Sequence, residues 1–284
     1  FRILWENFNS LCILTDSKLS KIRALDELRK RFNADMVAGC EAQTNWYQTQ
    51  DGQHFMDLVG MGEDRKGIAA HNIHNKTRCQ PGGTLIVTYG RWMTYASTGK
   101  DETGLARWTW IVFECETTVR RFVSAYRPKK PSQLYRIGID LKEGVKVWEQ
   151  HTRFYREHDY HDVNPHFNFD RDLLSLLSLW RRNGEVVMLM IDVNDHAYTS
   201  KFARALEVDE IQMECLFFKK YRQRVPHFHK SDSKLIMTAY ASPGFDCVDM
   251  FVFKHDYGLG DERLYAIDLT MQSVFGCSVP SPPR

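Results

Sequence analysis

The feature that most constrains the fold is a nearly continuous apolar run, Glu185–Ile191 (EVVMLMI), which is followed at once by Asp192-Val193-Asn194. Because polar residues do not alternate with the apolar ones, the run predicts a strand that is buried on both faces. The leucine-rich stretch before it predicts a helix that ends at Asn183-Gly184 in a left-handed turn. A helix that leads into a doubly covered strand is typical of α/β layers.

A second unit of the same kind opens the chain. An apolar stretch precedes Asn7, and apolar residues recur at helical spacing after Asp16, which is a suitable N-cap. Met36–Cys40 then predicts a short buried strand with Glu41 at its exit. Polar groups at the carboxyl ends of parallel strands meet at one edge of a sheet, so Glu41 and Asp192 are expected to lie close together.

The remaining organisation is simpler. Thr84–Thr88, Trp108–Glu114 and Arg121–Tyr126 predict a β-rich middle. With no internal repeat or break in composition, residues 1–276 are predicted to form one domain, and the Pro- and Ser-rich residues 277–284 a linker or tail. The sequence starts without Met and inside an apolar run, which predicts a segment of a longer protein.

Composition excludes several classes of protein. With 43% hydrophobic and 26% charged residues, the 284-residue chain is neither disordered nor fibrous. No apolar run reaches the roughly 18 residues that a membrane span needs. The net charge of +2 does not by itself indicate a polyanionic partner. Seven cysteines without C-x-x-C spacing support neither a zinc ribbon nor a disulfide framework, so free thiols in a reducing intracellular compartment are expected.

The polar residues at the predicted strand ends suit one kind of chemistry. Carboxylates of Glu41 and Asp192, with amides of Asn7 and Asn194, are hard oxygen donors of the kind that Mg²⁺ prefers. The alternative for any single carboxylate is that it caps the loop that follows its strand.

Six motifs in the same order resemble the endonuclease/exonuclease/phosphatase superfamily and, within it, the endonuclease domain of non-LTR retrotransposons. They are Asn7-Phe8-Asn9-Ser10-Leu11 (family N-x-N-G-L), Cys40-Glu41-Ala42 (family Q-E-T), Pro81-Gly82-Gly83-Thr84 with Gly104–Trp108, Ser124-Ala125-Tyr126-Arg127-Pro128, Ile191-Asp192-Val193-Asn194 (family G-D-x-N), and Gly260-Asp261-Glu262-Arg263 (family S-D-H-R). Ser10, Cys40 and Ile191 depart from the family residues at their positions.

The resemblance implies a four-layered α/β (α+β) sandwich, in which helices flank two central mixed β-sheets. It also implies hydrolysis of a DNA phosphodiester that depends on Mg²⁺ or Mn²⁺. Glu41 and Asp261 would hold the metal with support from Asn7, Asp192 and Asn194 would orient water and phosphate, and Tyr126 would stabilise developing charge.

Two departures affect the proton-transfer pair of that family. Its closing His is replaced by Glu262, and a glutamate titrates about two pH units below a histidine and is negative when ionised. Its buried Asp corresponds to Met237 if residues 233–243 form the penultimate strand. A rival alignment uses residues 248–253 and retains an acid, Asp249, but leaves only 12 positions before Asp261. We favour Met237.

Three functions follow from these readings. The first is a degenerate domain retained to bind nucleic acid or to serve as a structural subunit of a larger assembly, which we favour. The alternative is an active metal-dependent endonuclease that nicks DNA with Glu262 in place of the usual His. A phosphatase acting on phospholipids or inositol phosphates is the weakest, because Gly82-Gly83 and Gly104–Trp108 resemble the retroelement branch. A nuclear location would follow from the resemblance alone.

Basic residues give a further hypothesis about binding. Cations interleaved with an aromatic residue can neutralise phosphates and stack on bases, although a solvated loop has the same composition. The predicted nucleic-acid-binding residues are Arg127, Lys219, Lys220, Arg222, Arg224 and Lys230.

Overall fold

A computed structural model describes residues 1–11, 16–46, 61–62, 64–75, 77, 80–115, 119–131, 143–222 and 235–276. The predicted tail, residues 277–284, lies outside the described residues. Within the described part the strands are β1 (Arg2–Asn7), β2 (Met36–Cys40), β3 (Met61–Gly62), β4 (Arg65–Ala70), β5 (Thr84–Tyr89), β6 (Ala96–Lys100), β7 (Trp108–Glu114), β8 (Val119–Tyr126), β9 (Val186–Asp192), β10 (Glu214–Cys215), β11 (Met237–Ala241), β12 (Cys247–Val252) and β13 (Tyr265–Leu269).

The helices flank these strands. They are α1 (Asp16–Arg31), α2 (Glu143–Glu157), α3 (Pro165–Arg182), α4 (Lys201–Leu206), α5 (Leu216–Tyr221) and α6 (Met271–Phe275), and short 3-10 helices cover Gly90–Tyr95 and His255–Tyr257. The predicted left-handed turn after α3 is present, because Gly184 has a positive φ, as has Asn33 after α1. None of these helices combines the length and the apolar composition that a bilayer crossing requires.

The strands form two mixed sheets. The first has the order β12-β13-β1-β2-β5-β4-β3, and the second has the order β10-β11-β9-β8-β7-β6. In the first sheet β1 runs parallel to β2, and in the second β8 runs parallel to β9. The predicted four-layered sandwich with two central mixed sheets is confirmed.

The core explains why the sheets face each other. Trp5 and Ile86 of the first sheet pack in one apolar cluster with Phe122 and Met190 of the second. Polar bonds fix the alignment of the sheets, because Ser124 Oγ donates to the carbonyl of Gly39 (2.9 Å) and accepts from Trp5 Nε1 (3.1 Å). These bonds join β1 and β2 to β8 within two residues of the carboxyl end of each strand, and so bring these strand ends together.

Candidate functional site

Polar residues from both sheets meet at one edge of the sandwich. Asn7 ends β1, Glu41 follows β2, and Tyr126 and Asp192 lie opposite each other at the ends of β8 and β9. The sheets are joined here by a hydrogen bond from Asn7 Nδ2 to Asp192 Oδ2 (3.2 Å). The predicted meeting of these strand ends therefore occurs in the structure.

Hydrogen bonds hold Asp192 in place. Its Oδ1 accepts from the backbone N–H of Asn194 (2.9 Å), and its carbonyl oxygen accepts from the N–H of Arg127 (2.9 Å). The side-chain amide of Asn194 donates to the carbonyl of Arg127 (2.8 Å). Asn194 has a φ of +46°. This amide thus fixes the turn after β9 and orients the Asp192 carboxyl.

The site concentrates negative charge in a buried place. The Asp192 side chain is 1% exposed, and its pKa is raised well above the usual range, chiefly by burial and then by the charge of Glu41. Burial, followed by the same two carboxylates, also raises the pKa of Tyr126, so its hydroxyl stays protonated at neutral pH. Lys129, which is exposed, is a cation whose charge opposes the rise at Asp192.

The closing loop, residues 258–263, brings Glu262 to the same place. Glu262 is buried, and burial, followed by the charges of Asp192, Glu41 and Asp261, raises its pKa well above the usual range. Within the described part of the chain, its Oε2 atom has no hydrogen-bond partner. Asp261 is exposed beside it.

Glu6, which the sequence analysis did not single out, anchors the closing loop. Its Oε1 accepts from the N–H of Gly260 (2.7 Å). A Cβ atom at Gly260 would overlap the carbonyl oxygen of Asn7, so glycine is what lets the loop approach this strand end so closely. A charged residue inside the otherwise apolar opening strand was the signal that could have revealed this role.

The alternative positions for the family's Asp lie far apart. Met237 is fully buried and pairs in register with Asp192. Asp249 instead pairs with Asp268, which pairs with Arg2 at the start of β1. Arg2 is five residues from the site end of that strand, which is roughly 16 Å at about 3.3 Å per residue. Met237 is therefore the residue beside the carboxylates.

Those of the predicted basic residues that the structure describes do not form one surface beside the site. Arg127 is a correction: its guanidinium is buried and donates two hydrogen bonds to the Asp170 carboxylate (2.7 and 2.8 Å), so it is not available to a phosphate. Lys219 and Lys220 are exposed and form ion pairs with Glu214 and Asp249, and their binding to nucleic acid stays a prediction.

Lys220 lies away from the site. Lys220 pairs with Asp249 at the end of β1 that is opposite to Asn7, as the strand register shows. Arg222 is exposed just after α5. Arg224 and Lys230 lie outside the described residues.

A divalent cation fits the donors at this edge. No group of three His, Cys, Asp or Glu side chains in the described ranges is arranged to enclose a metal by itself. Mg²⁺ commonly uses only one or two carboxylates and keeps water or phosphate oxygens as its other ligands. The mutual repulsion of Glu41, Asp192 and Glu262, with the unpartnered Glu262 oxygen, is what such a cation would relieve.

Comparisons with known proteins agree with this architecture. No protein-family model and no curated protein matches the sequence. Among solved structures, an AP endonuclease from Leishmania major matches with a TM-score of 0.61 and 11% identity, over 94% of this chain and 86% of that one. An endonuclease/exonuclease/phosphatase family protein from Leptotrichia buccalis matches with a TM-score of 0.55 and 11% identity, over 95% and 100% of the two chains.

A third structural match is to a phosphatase. A mannosyl-6-phosphatase from Bacteroides thetaiotaomicron has a TM-score of 0.53 and 10% identity, over 95% of this chain and 100% of its own. The chain thus has the endonuclease/exonuclease/phosphatase fold. Its structural neighbours include both nuclease and phosphatase enzymes, so the fold alone does not distinguish these two activities.

Proposed function

We propose that the chain is a degenerate, retrotransposon-type member of this fold family that binds nucleic acid without efficiently cutting it. The observation that carries the proposal is the pair of residues beside Asp192: Met237 on the neighbouring strand and Glu262 on the closing loop. The retroelement-like motifs support a nucleic acid rather than a small phosphate ester as the partner. Such a domain would suit a subunit of a larger assembly.

The step that this site would perform poorly is proton transfer during cleavage of the phosphodiester. A general acid–base group contributes about 10²–10⁴-fold to the rate of such a reaction. Met237 has no titratable group with which to orient a base. Burial and the neighbouring carboxylates raise the pKa of Glu262, which disfavours the ionised form that a base needs. Neither residue therefore replaces the histidine and aspartate of the family pair.

Binding of a phosphate remains within the capacity of the site. Glu41 and Asp192, with Asp261 at the rim, would hold Mg²⁺ or Mn²⁺, and a bound ion would supply a Lewis acid that neutralises phosphate charge. The Tyr126 hydroxyl, which stays protonated, can donate a hydrogen bond to a phosphate oxygen. Lys129 adds a cation at the edge of the site.

A plasmid-nicking assay tests the proposal. Purified protein is incubated with supercoiled plasmid and Mg²⁺ or Mn²⁺, beside an Asp192→Ala control. We expect the wild-type protein to nick no faster than Asp192→Ala, and the double variant Met237→Asp/Glu262→His to gain metal-dependent nicking. Wild-type nicking that Asp192→Ala abolishes would overturn the proposal.

One observation favours an active endonuclease as a second candidate. A buried carboxyl whose pKa is raised can donate a proton to a leaving oxygen, and burial raises the pKa of Glu262. If the endonuclease is active, Glu262→Gln would abolish nicking, and so would Asp192→Ala. The same assay therefore separates the two candidates.

A further inference from the structure

A groove lies beside the site, between one face of α2 and the chain that leaves β8. It encloses a cavity of about 460 Å³. Its lining residues are Lys130, Pro131, Trp148, Glu149, Thr152, Arg153 and Arg156. A concave site of this volume is within the range that binds a small ligand or part of a larger one.

The groove carries unneutralised positive charge. Lys130, Arg153 and Arg156 are exposed, and none of the three forms an ion pair with any part of the chain that the structure describes. Arg153 and Arg156 are three residues apart on α2 and so share one helix face. Glu149 is the acidic residue of the lining. The excess of cations favours an anionic occupant.

The indole ring of Trp148 lies among these cations. Trp148 is half-buried, and its ring meets the His166 ring edge-on, with centroids 4.9 Å apart and planes at 76°. His166 is itself fixed, because its Nε2 donates to the carbonyl of Pro128 (2.7 Å). The indole is thus held in one orientation while it lines the cavity. A fixed aromatic ring with cations around it is the arrangement on which unpaired bases stack.

The groove begins at the residue that follows Lys129 in the chain. Lys130 follows Lys129, whose charge acts on both Asp192 and Glu262. On the other side, Val147 of α2 packs at Gly82 together with the Tyr126 ring. A phosphate bound at Lys129 would therefore lie next to the groove at Lys130.

We infer that this groove binds single-stranded nucleic acid, with an unpaired base stacked on Trp148 and the flanking phosphates on Lys130, Arg153 and Arg156. The inference rests on the proposed nucleic-acid binding and assigns it a surface and a strand type. A duplex keeps its bases stacked inside and cannot present one to Trp148. Single strands are therefore preferred.

The test is fluorescence anisotropy with a labelled oligothymidylate of about 10 nucleotides, a length that typical single-strand sites cover. We expect Arg153→Ala/Arg156→Ala to weaken binding at least tenfold and to reduce the slope of log affinity against log salt by about 1.4, for two lost phosphate contacts. Trp148→Ala is expected to weaken binding about 5- to 150-fold, as for one lost stacked base. Trp148→Phe, which retains an aromatic ring, is expected to retain most of the wild-type affinity.

A matched control removes the same charge elsewhere. Lys66→Ala/Arg91→Ala also deletes two exposed cations, but at the end of β4 and β5 that lies opposite to Glu41, and is expected to leave binding unchanged. Equal losses in both double variants, or equal affinity for a duplex of the same sequence, would overturn the inference while leaving general nucleic-acid binding intact. If the wild-type protein binds neither strand type, the proposed function fails, and this inference fails with it.

Discussion

Replacing Glu6 with glutamine tests how the closing loop is anchored to the end of β1. The Glu6 carboxyl is 1% exposed, and its Oε1 accepts the Gly260 N–H at 2.7 Å. Its other oxygen is buried without a hydrogen-bond partner among the described residues. Burial is the main cause that raises the pKa of Glu6 to about 7, although the N–H groups of Gly260 and Leu259 act in the opposite direction. Glutamine keeps the acceptor oxygen and removes the titration.

The sign and size of the effect follow from the linkage between proton binding and folding. A raised pKa in the folded protein means that ionisation of Glu6 favours unfolding. Its contribution to stability is fully present below pH 4.5, the ordinary value, and is lost as the pH rises through about 7. At about 1.4 kcal/mol for each pH unit, the loss is about 3 kcal/mol. The glutamine variant has no such loss.

The assay is urea unfolding of both proteins near pH 4 and near pH 8, followed by circular dichroism. The free energy of unfolding of Glu6→Gln minus that of wild type is expected to rise by about 3 kcal/mol between the two pH values. A constant offset from changed packing cancels in this comparison, as do the other titrating groups. Glu114→Gln, at an exposed carboxyl, is the matched control and should show no rise. A rise below about 1 kcal/mol for Glu6→Gln would refute the reasoning.

Three further predictions concern the interior, the loop and the metal. Arg107→Ala leaves Asp101 buried without its cation and is expected to lower the free energy of unfolding by about 3–5 kcal/mol in urea; a loss below about 1 kcal/mol would contradict this. Gly260→Ala is expected to lower the melting temperature and weaken stabilisation by Mg²⁺, because the added methyl group displaces the loop from Asn7; unchanged Mg²⁺ titrations would argue against it. Mg²⁺ at about a hundred times its Kd is expected to stabilise the wild-type protein by about 3 kcal/mol in calorimetry, but not Asp192→Ala.

The sequence predicted the central elements because burial on both faces leaves a pattern. β9 and β2 are covered on both sides and contain almost only apolar residues, so their strand state and their ends were readable. Strand β6 (ASTGK) is at the edge of its sheet and buries little of its surface, so no apolar run revealed it. β4 (RKGIAA) is likewise only half-buried and was also missed.

Side-chain partners were less predictable than strand ends. The apolar runs that precede Asn7 and Asp192 place both residues at strand ends, and the geometry of the sheets then brings them together. No local pattern indicates that Arg127 is neutralised by Asp170, which is 43 residues away. The ion pair of Lys220 with Asp249 likewise depends on how α5 packs across β12, which only the tertiary structure shows. Charge in the sequence therefore overstated the surface available to a phosphate.

The electrostatics of the site bear on why it would be retained. Asp192 and Glu262 lie in each other's field, and Met237 offers neither of them a hydrogen bond, so the raised pKa values are a cost to stability at neutral pH. A domain with a purely structural role gains nothing from this arrangement, since apolar residues of similar volume would fill the space at lower cost. A bound cation offsets the repulsion, and a phosphate on that cation adds to the gain. This cost in stability is therefore better explained by a site that still binds a cation and a phosphate than by a site without a ligand.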